Sequence, residues 1–194
     1  MTSDPRILSA NKRVALVAHD NKKDDLLEWA LTNRQKLAKH KLYATGTTGK
    51  ILEEALGQYI TRFLSGPLGG DQQIGAMIAE GKLDIMIFFW DPMEAQPHDP
   101  DVKALLRLAA VYNLPMACNA ATADFLFTSQ FINEEYAAVQ TDYSVYQKRT
   151  FPALGKSTQH EEGRKSMRVT KLFSAFSIVK NQGESFWYFV RLCP

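Results

Sequence analysis

The residues of this chain that can do chemistry fall in four short clusters. They are His19-Asp20, Thr45-Gly46-Thr47-Thr48-Gly49, Ser65-Gly66-Pro67-Leu68-Gly69-Gly70-Asp71 and His98-Asp99-Pro100-Asp101. In the second cluster glycines let the backbone approach a ligand. The free N–H groups of a following helix start favour an anion there, and the threonine hydroxyls add donors. Neither GxxxxGK[ST] nor GxGxxG is present, so a nucleoside triphosphate is not indicated. Taken alone, the threonine loop reads better as a tight turn with a capping threonine. The third cluster packs three glycines and a proline into seven residues, which sets a particular loop path toward Asp71. Asp71 reads either as an N-cap carboxylate or as a general base. A helix N-terminus would keep it ionised, while desolvation in a closed pocket would raise its basicity. In the fourth cluster Asp99 suits the N-cap, with Pro100 at the first helical position, so His98 and Asp101 are left to face a pocket. Carboxylates beside imidazoles can share protons at neutral pH. Together the clusters point to acid–base chemistry on a small phosphorylated molecule.

Other readings compete with this one. His19, Asp20, His98 and Asp101 could ligate a divalent ion, but no HxH or HExxH spacing supports a metal site, so none is assigned. Lys23, four residues after His19, can reach a phosphate, although from spacing alone it reads as a solvated helix charge. Arg107 suits a subunit contact, an anion contact or plain exposure. His40 and His160 stand alone and read as surface residues, and Cys118 as a small buried apolar side chain.

These residues need a scaffold that gathers them. Each of the first three clusters follows a strand-like run (Arg13–Ala18, Lys41–Ala44, Thr61–Leu64), and a fourth run, Ile85–Trp90, leads into the loop that ends at His98–Asp101. Helical patterns alternate with the strands over Asp24–Lys39, Lys50–Leu56, Gln72–Glu80 and Pro100–Tyr112. Pro115–Cys118 supplies a fifth strand, Ala120–Ser129 a short helix, and Ala137–Thr141 a last extended piece. Such alternation predicts an α/β fold, a three-layer, Rossmann-like domain whose mainly parallel five-stranded sheet is flanked by helices. In an open sheet of this kind ligands bind at the carboxyl ends of the strands, where the four clusters lie.

Composition sets further bounds. The chain has 194 residues, 45% hydrophobic and 23% charged, an ordinary globular balance. No stretch approaches the ~20 apolar residues of a membrane span, and Met1–Asn11 lacks the apolar core of a secretory signal. Two cysteines, Cys118 and Cys193, make no disulfide framework, so a cytoplasmic location is expected. Residues 1–150 carry 16 Lys+Arg against 18 Asp+Glu, and residues 151–194 carry 7 against 3. The body is therefore no nucleic-acid binder, and the positive excess belongs to the tail. The expected division is a catalytic domain over 1–150 and a basic, aromatic extension over 151–194, with Phe173, Phe176, Trp187, Tyr188 and Phe189 in the latter.

Val14–Asp20 (VALVAHD), Leu42–Gly49 (LYATGTTG), Leu64–Asp84 (LSGPLGGDQQIGAMIAEGKLD), Ile87–Pro92 (IFFWDP) and Pro97–Ala109 (PHDPDVKALLRLA) resemble the methylglyoxal synthase family. The resemblance runs from about Arg13 to about Tyr146. Its GPLGGDQQ and PHDPDVKALLR stretches are specific, whereas LYATGTTG is shared with a wider domain that also serves as a regulatory module in carbamoyl-phosphate synthetase. The resemblance implies a lyase that turns dihydroxyacetone phosphate into methylglyoxal and inorganic phosphate, without cofactor or metal. It implies Asp71 as the base, His98 as the catalytic histidine, Asp101 as a further active-site carboxylate and Asp20 as a supporting one. It implies substrate binding by His19, Lys23, Thr45, Gly46, Thr47, Thr48, Ser65 and Gly66. It also implies a homohexamer inhibited by phosphate. The family closes with an arginine that reaches a neighbouring subunit's site. Here Asp142-Tyr143-Ser144-Val145-Tyr146 is followed by Gln147-Lys148-Arg149, so Arg149 stands one position early. A non-catalytic sensor of a phosphorylated effector would need the threonine and glycine loops, but not Asp71, His98 and Asp101 together. A metal-dependent lyase or aldolase would be silenced by a chelator.

Overall fold

A computed structural model describes residues 5–94 and 99–148. Five parallel strands form the central sheet, in the order β4-β3-β2-β5-β6. They are β2 (Arg13–Ala18), β3 (Lys41–Thr45), β4 (Ile60–Phe63), β5 (Ile85–Phe89) and β6 (Met116–Ala117). Every residue of β5 and the last five of β2 are buried, as expected where both sheet faces are covered by helices. Side chains alternate between the faces. Val14, Leu16, Ala18, Ile85, Ile87 and Phe89 join one core with Leu26, Leu52 and Phe127. Ala15, Val17, Met86 and Phe88 join the other with Ile74, Ile78, Val102 and Leu105. The first core belongs to α1 (Lys23–Thr32), α3 (Gly46–Leu56) and α6 (Ala120–Thr128), the second to α4 (Gly70–Ala79) and α5 (Asp99–Val111). The expected three layers are therefore present. Strand order reverses between β2 and β5, where the main-chain N–H of His19 donates to Phe89 O at 3.1 Å.

Several boundaries differ from expectation. The helix expected over Asp24–Lys39 is interrupted at Asn33, which leaves helical geometry at φ −98° and ψ 14° while its side-chain amide and its main-chain N–H both donate to Trp29 O at 3.1 Å. A short helix, α2 (Arg34–Leu37), follows. The threonine cluster is not a loop before a helix at Lys50, because α3 already starts at Gly46. α5 opens at Asp99, one residue earlier than the expected N-cap arrangement. The extended piece near Ala137 is β7 (Tyr136–Ala138), and it pairs antiparallel with an unexpected strand, β1 (Arg6–Leu8), in a separate two-stranded sheet.

His40 is not the expected surface residue. It is 4% exposed, its Nδ1 accepts the Lys12 N–H at 3.3 Å, and its ring meets Phe127 edge-on. Burial, followed by the charges of Lys12 and Lys39, lowers its pKa from the ordinary 6.5. Asp84, fully buried, binds Arg13 through its main-chain N–H (2.8 Å), Nε (2.9 Å) and Nη2 (2.7 Å), and Arg6 Nη2 at 2.9 Å. Burial opposes its ionisation, but the hydrogen bonds and charge of Arg13 and the charge of Arg6 outweigh this and hold its pKa below the ordinary 3.8. This cluster ties the start of β2 to the residue just before β5. Cys118 is half-buried, and burial raises its thiol pKa. His98, Arg149, His160, Cys193 and the tail over 151–194 lie outside the described residues.

Candidate active site

Three of the four clusters converge. A cavity of about 340 Å³ at the carboxyl ends of β2, β3 and β4 is lined by His19, Asp20, Lys23, Thr45, Gly46, Thr47, Thr48, Ser65, Gly66, Pro67 and Asp71, with Val17 and Ala18 at its floor. Two other hollows, about 460 Å³ beside β4 and about 400 Å³ between α1 and α6, hold none of His19, Asp71 or these threonines. The loops close on one another through backbone. Gly46 N–H donates to Leu64 O at 3.2 Å. A Cβ on Gly46 would lie 2.9 Å from Ser65 Cα, and Gly46 sits at φ +31°, so only glycine brings these two loops so near. Thr45 precedes the helix in extended conformation, and its side chain makes no capping bond. The capping reading of this loop therefore fails. The N–H groups of the first turn of α3 have no intrahelical acceptor, as at any helix start, and here they border the cavity.

Asp71 lies in the first turn of α4 and is 5% exposed. Gly69, not Asp71, is the N-cap, so the N-cap reading also fails. A Cβ on Gly66 would stand 2.9 Å from Asp71 Oδ2 and 3.3 Å from Oδ1, which puts the carboxylate directly against the Gly66 backbone. The loop between them is held by Leu68 N–H and Gly70 N–H, both donating to Ser65 O at 3.0 Å. Lys23 reaches across from α1. Its Nζ is 2.7 Å from Thr47 Oγ1 and 2.5 Å from Asp20 Oδ1, so it faces the cavity rather than open solvent. His19 is 6% exposed, and its ring packs edge-on against Phe88. Its Nδ1 accepts the Asp91 N–H at 3.4 Å, which leaves the proton of the neutral ring on Nε2. A buried carboxylate, an imidazole, an ammonium group and a glycine–threonine rim thus share one small space.

The chain was compared with known proteins. The family model for the MGS-like domain matches residues 25–118. A methylglyoxal synthase of Leptospira interrogans is 59% identical over 140 residues, covering 72% of this chain and 95% of the relative. One of Vibrio cholerae is 55% identical over 146 residues, covering 75% and 97%. This chain belongs to the methylglyoxal synthase family. The crystal structure of methylglyoxal synthase from Elizabethkingia anophelis superposes with a TM-score of 0.74 at 58% identity, covering 78% of this chain and 99% of that one.

The remaining candidates of this methylglyoxal synthase relative are placed differently. Asp101 sits in the first turn of α5, partly exposed, and does not line the cavity. Arg107 is exposed further along α5. Among the described residues no group of three or more His, Cys, Asp or Glu converges to hold a metal ion. Two contacts were not legible in the sequence. Asn21 Nδ2 donates to Asp91 Oδ2 at 3.3 Å and Glu94 Oε2 at 3.0 Å, tying the turn after β5 to His19's neighbourhood. Gln73 Oε1 accepts the Leu64 N–H at 2.9 Å. Asn21 directly follows the Val14–Asp20 stretch and Gln73 lies within Leu64–Asp84, but only proximity in space assigns them a partner.

Proposed function

We propose that the protein is a carbon–oxygen lyase that converts dihydroxyacetone phosphate into methylglyoxal and inorganic phosphate, with Asp71 as its base. The observation that carries this reading is the Asp71 carboxylate, buried against Gly66 beside a threonine–glycine rim, in a chain 59% identical to a methylglyoxal synthase. Asp71 takes a proton from the hydroxymethyl carbon next to the ketone. The C–H electron pair moves into an enediolate, whose developing oxygen charge falls to His98, which also moves a proton between the two oxygens. By the family resemblance Asp20 and Asp101 are supporting carboxylates, Asp20 in the lining of the cavity and Asp101 outside it. Preorganised donors of this kind are typically worth ~10²–10³ in rate. Collapse of the enediolate breaks the C–O bond and phosphate leaves with its electron pair. The enol that remains takes a proton on carbon and becomes methylglyoxal. Thr45–Thr48 and Ser65-Gly66 would hold the phosphate so that the breaking C–O bond stands out of the enediolate plane. Lys23, within reach of both rim and cavity, would neutralise the leaving group. Side chains carry every proton in this scheme, so the reading calls for no cofactor.

The same reading extends to the protein's setting. We infer a homohexamer inhibited by its product phosphate, with Arg107 or Arg149 at subunit contacts. The family resemblance supports this, and so do exposed apolar residues such as Leu68 and Phe125. A cytoplasmic location is supported by the two-cysteine content. Among the described residues no helix is long and apolar enough to cross a membrane. Residues 1–150 form the catalytic domain of this proposal. The two relatives match 140 and 146 of the 194 residues, and the role of the extension over 151–194 stays outside this proposal.

The test is a product balance. The protein is mixed with dihydroxyacetone phosphate and a chelator, and methylglyoxal and phosphate are followed together. Equimolar, catalytic appearance of both is expected. Binding of a phosphorylated ligand without either product would replace the lyase by a sensor, and activity abolished by the chelator would replace it by a metal-dependent enzyme.

A further inference from the structure

The carboxylate of Asp71 and the loop at Ser65-Gly66 belong to different elements, α4 and the segment after β4. Their separation must be held to a few tenths of an ångström if proton removal and phosphate departure are to be aligned. β4 is the edge strand of the sheet, so among the described residues no further strand secures its carboxyl end. The Leu64 N–H, one residue beyond β4, is instead taken by Gln73 Oε1 at 2.9 Å. Leu64 O in turn accepts the Gly46 N–H at 3.2 Å. The side chain of Gln73 thereby joins three things: the helix that carries Asp71, the end of β4 that leads into Ser65-Gly66, and the start of α3 with its threonines. Residues two apart on a helix point in different directions, so Gln73 stands away from the cavity that Asp71 lines. We propose that Gln73 is a positioning residue for the reaction, a clamp whose carbonyl oxygen sets the register between the base and both phosphate loops. The inference rests on the lyase reading above.

The chemistry of the clamp makes it testable. Only the acceptor oxygen is used, so Gln73→Glu preserves the bond, whereas Gln73→Met keeps length and helix propensity but loses it. The full chain is assayed at 0.15 M salt, where the added charge of Glu at an exposed site is largely screened. Gln73→Met is expected to lower kcat roughly 3- to 10-fold, the range of a neutral hydrogen bond, with inhibition by inorganic phosphate changed less than about twofold. Gln73→Glu is expected within about twofold of the parent in both. Hydrogen exchange at the Leu64 amide, read in the phosphate-bound protein, is expected to quicken in Gln73→Met and not in Gln73→Glu. Equal impairment of the two variants, or a Gln73→Met protein with parental kcat and parental exchange at Leu64, would overturn the proposal. The exchange readout does not depend on turnover, so an inactive parent would count against the lyase reading and leave the clamp to be judged on Leu64 alone.

Discussion

Gly66→Ala should damage catalysis without damaging the fold, and the size of the effect follows from one contact. The new Cβ would lie 2.9 Å from Asp71 Oδ2, whereas ordinary van der Waals contact begins near 3.4 Å. The carboxylate must therefore retreat by about 0.5 Å. It has little room to do so, because Asp71 is 5% exposed and lies on a helix anchored through Ile74 and Ile78. Gly66 is not among the glycines with positive φ, so alanine brings no backbone strain. A misplacement of 1 Å can cost about 10²-fold in rate, so half that displacement should lower kcat about tenfold. Stability should change by no more than about 1 kcal/mol. The assay measures kcat from methylglyoxal release beside a urea melt of the same sample. Parental kcat in a folded Gly66→Ala protein would refute the claim that Asp71 works from against this backbone.

Further expectations follow from other contacts. Lys23→Met removes the ammonium that bridges Asp20 and Thr47, and should weaken inhibition by inorganic phosphate roughly 10- to 100-fold, as expected for charged hydrogen bonds. Asp84→Asn leaves Arg6 and Arg13 without their buried counter-charge, and should cost about 2–3 kcal/mol in denaturant unfolding, less than a fully buried pair because Arg13 is partly exposed. His40 has a folded pKa below 6.5, so the unfolded chain takes up its proton first as pH falls. Its contribution to stability is intact above about pH 6.5 and is lost progressively below it. His40→Asn should flatten the fall in unfolding midpoint measured between about pH 7.5 and 5.5.

How much of this was readable in advance depended on whether the decisive partner was near in sequence. β5 announced itself because five consecutive apolar residues suit a strand buried on both faces. The convergence of the first three clusters followed from strand ends alone, since a parallel sheet gathers them on one edge. By contrast, β1 pairs with β7 more than 120 residues away, and nothing local in Arg6–Leu8 signals it. His40 sits among lysines and looks solvated, yet the fold presses it between the Lys12 backbone and Phe127. The break falls at Asn33, one residue that leaves helical geometry inside an otherwise continuous helical pattern. The roles of Gly46 and Gly66 are likewise invisible in composition, because the atoms they make room for, Ser65 Cα and Asp71 Oδ2, are set by loop packing.

The most direct measurement is turnover of dihydroxyacetone phosphate by Asp71→Asn, set beside the binding of inorganic phosphate to the same protein. Asparagine keeps the shape and removes the basic oxygen. The rate should fall at least about 10³-fold, within the range of lost general-base catalysis, with phosphate affinity little changed. An Asp71→Asn protein that keeps its rate within about tenfold of the parent would show that another group removes the proton.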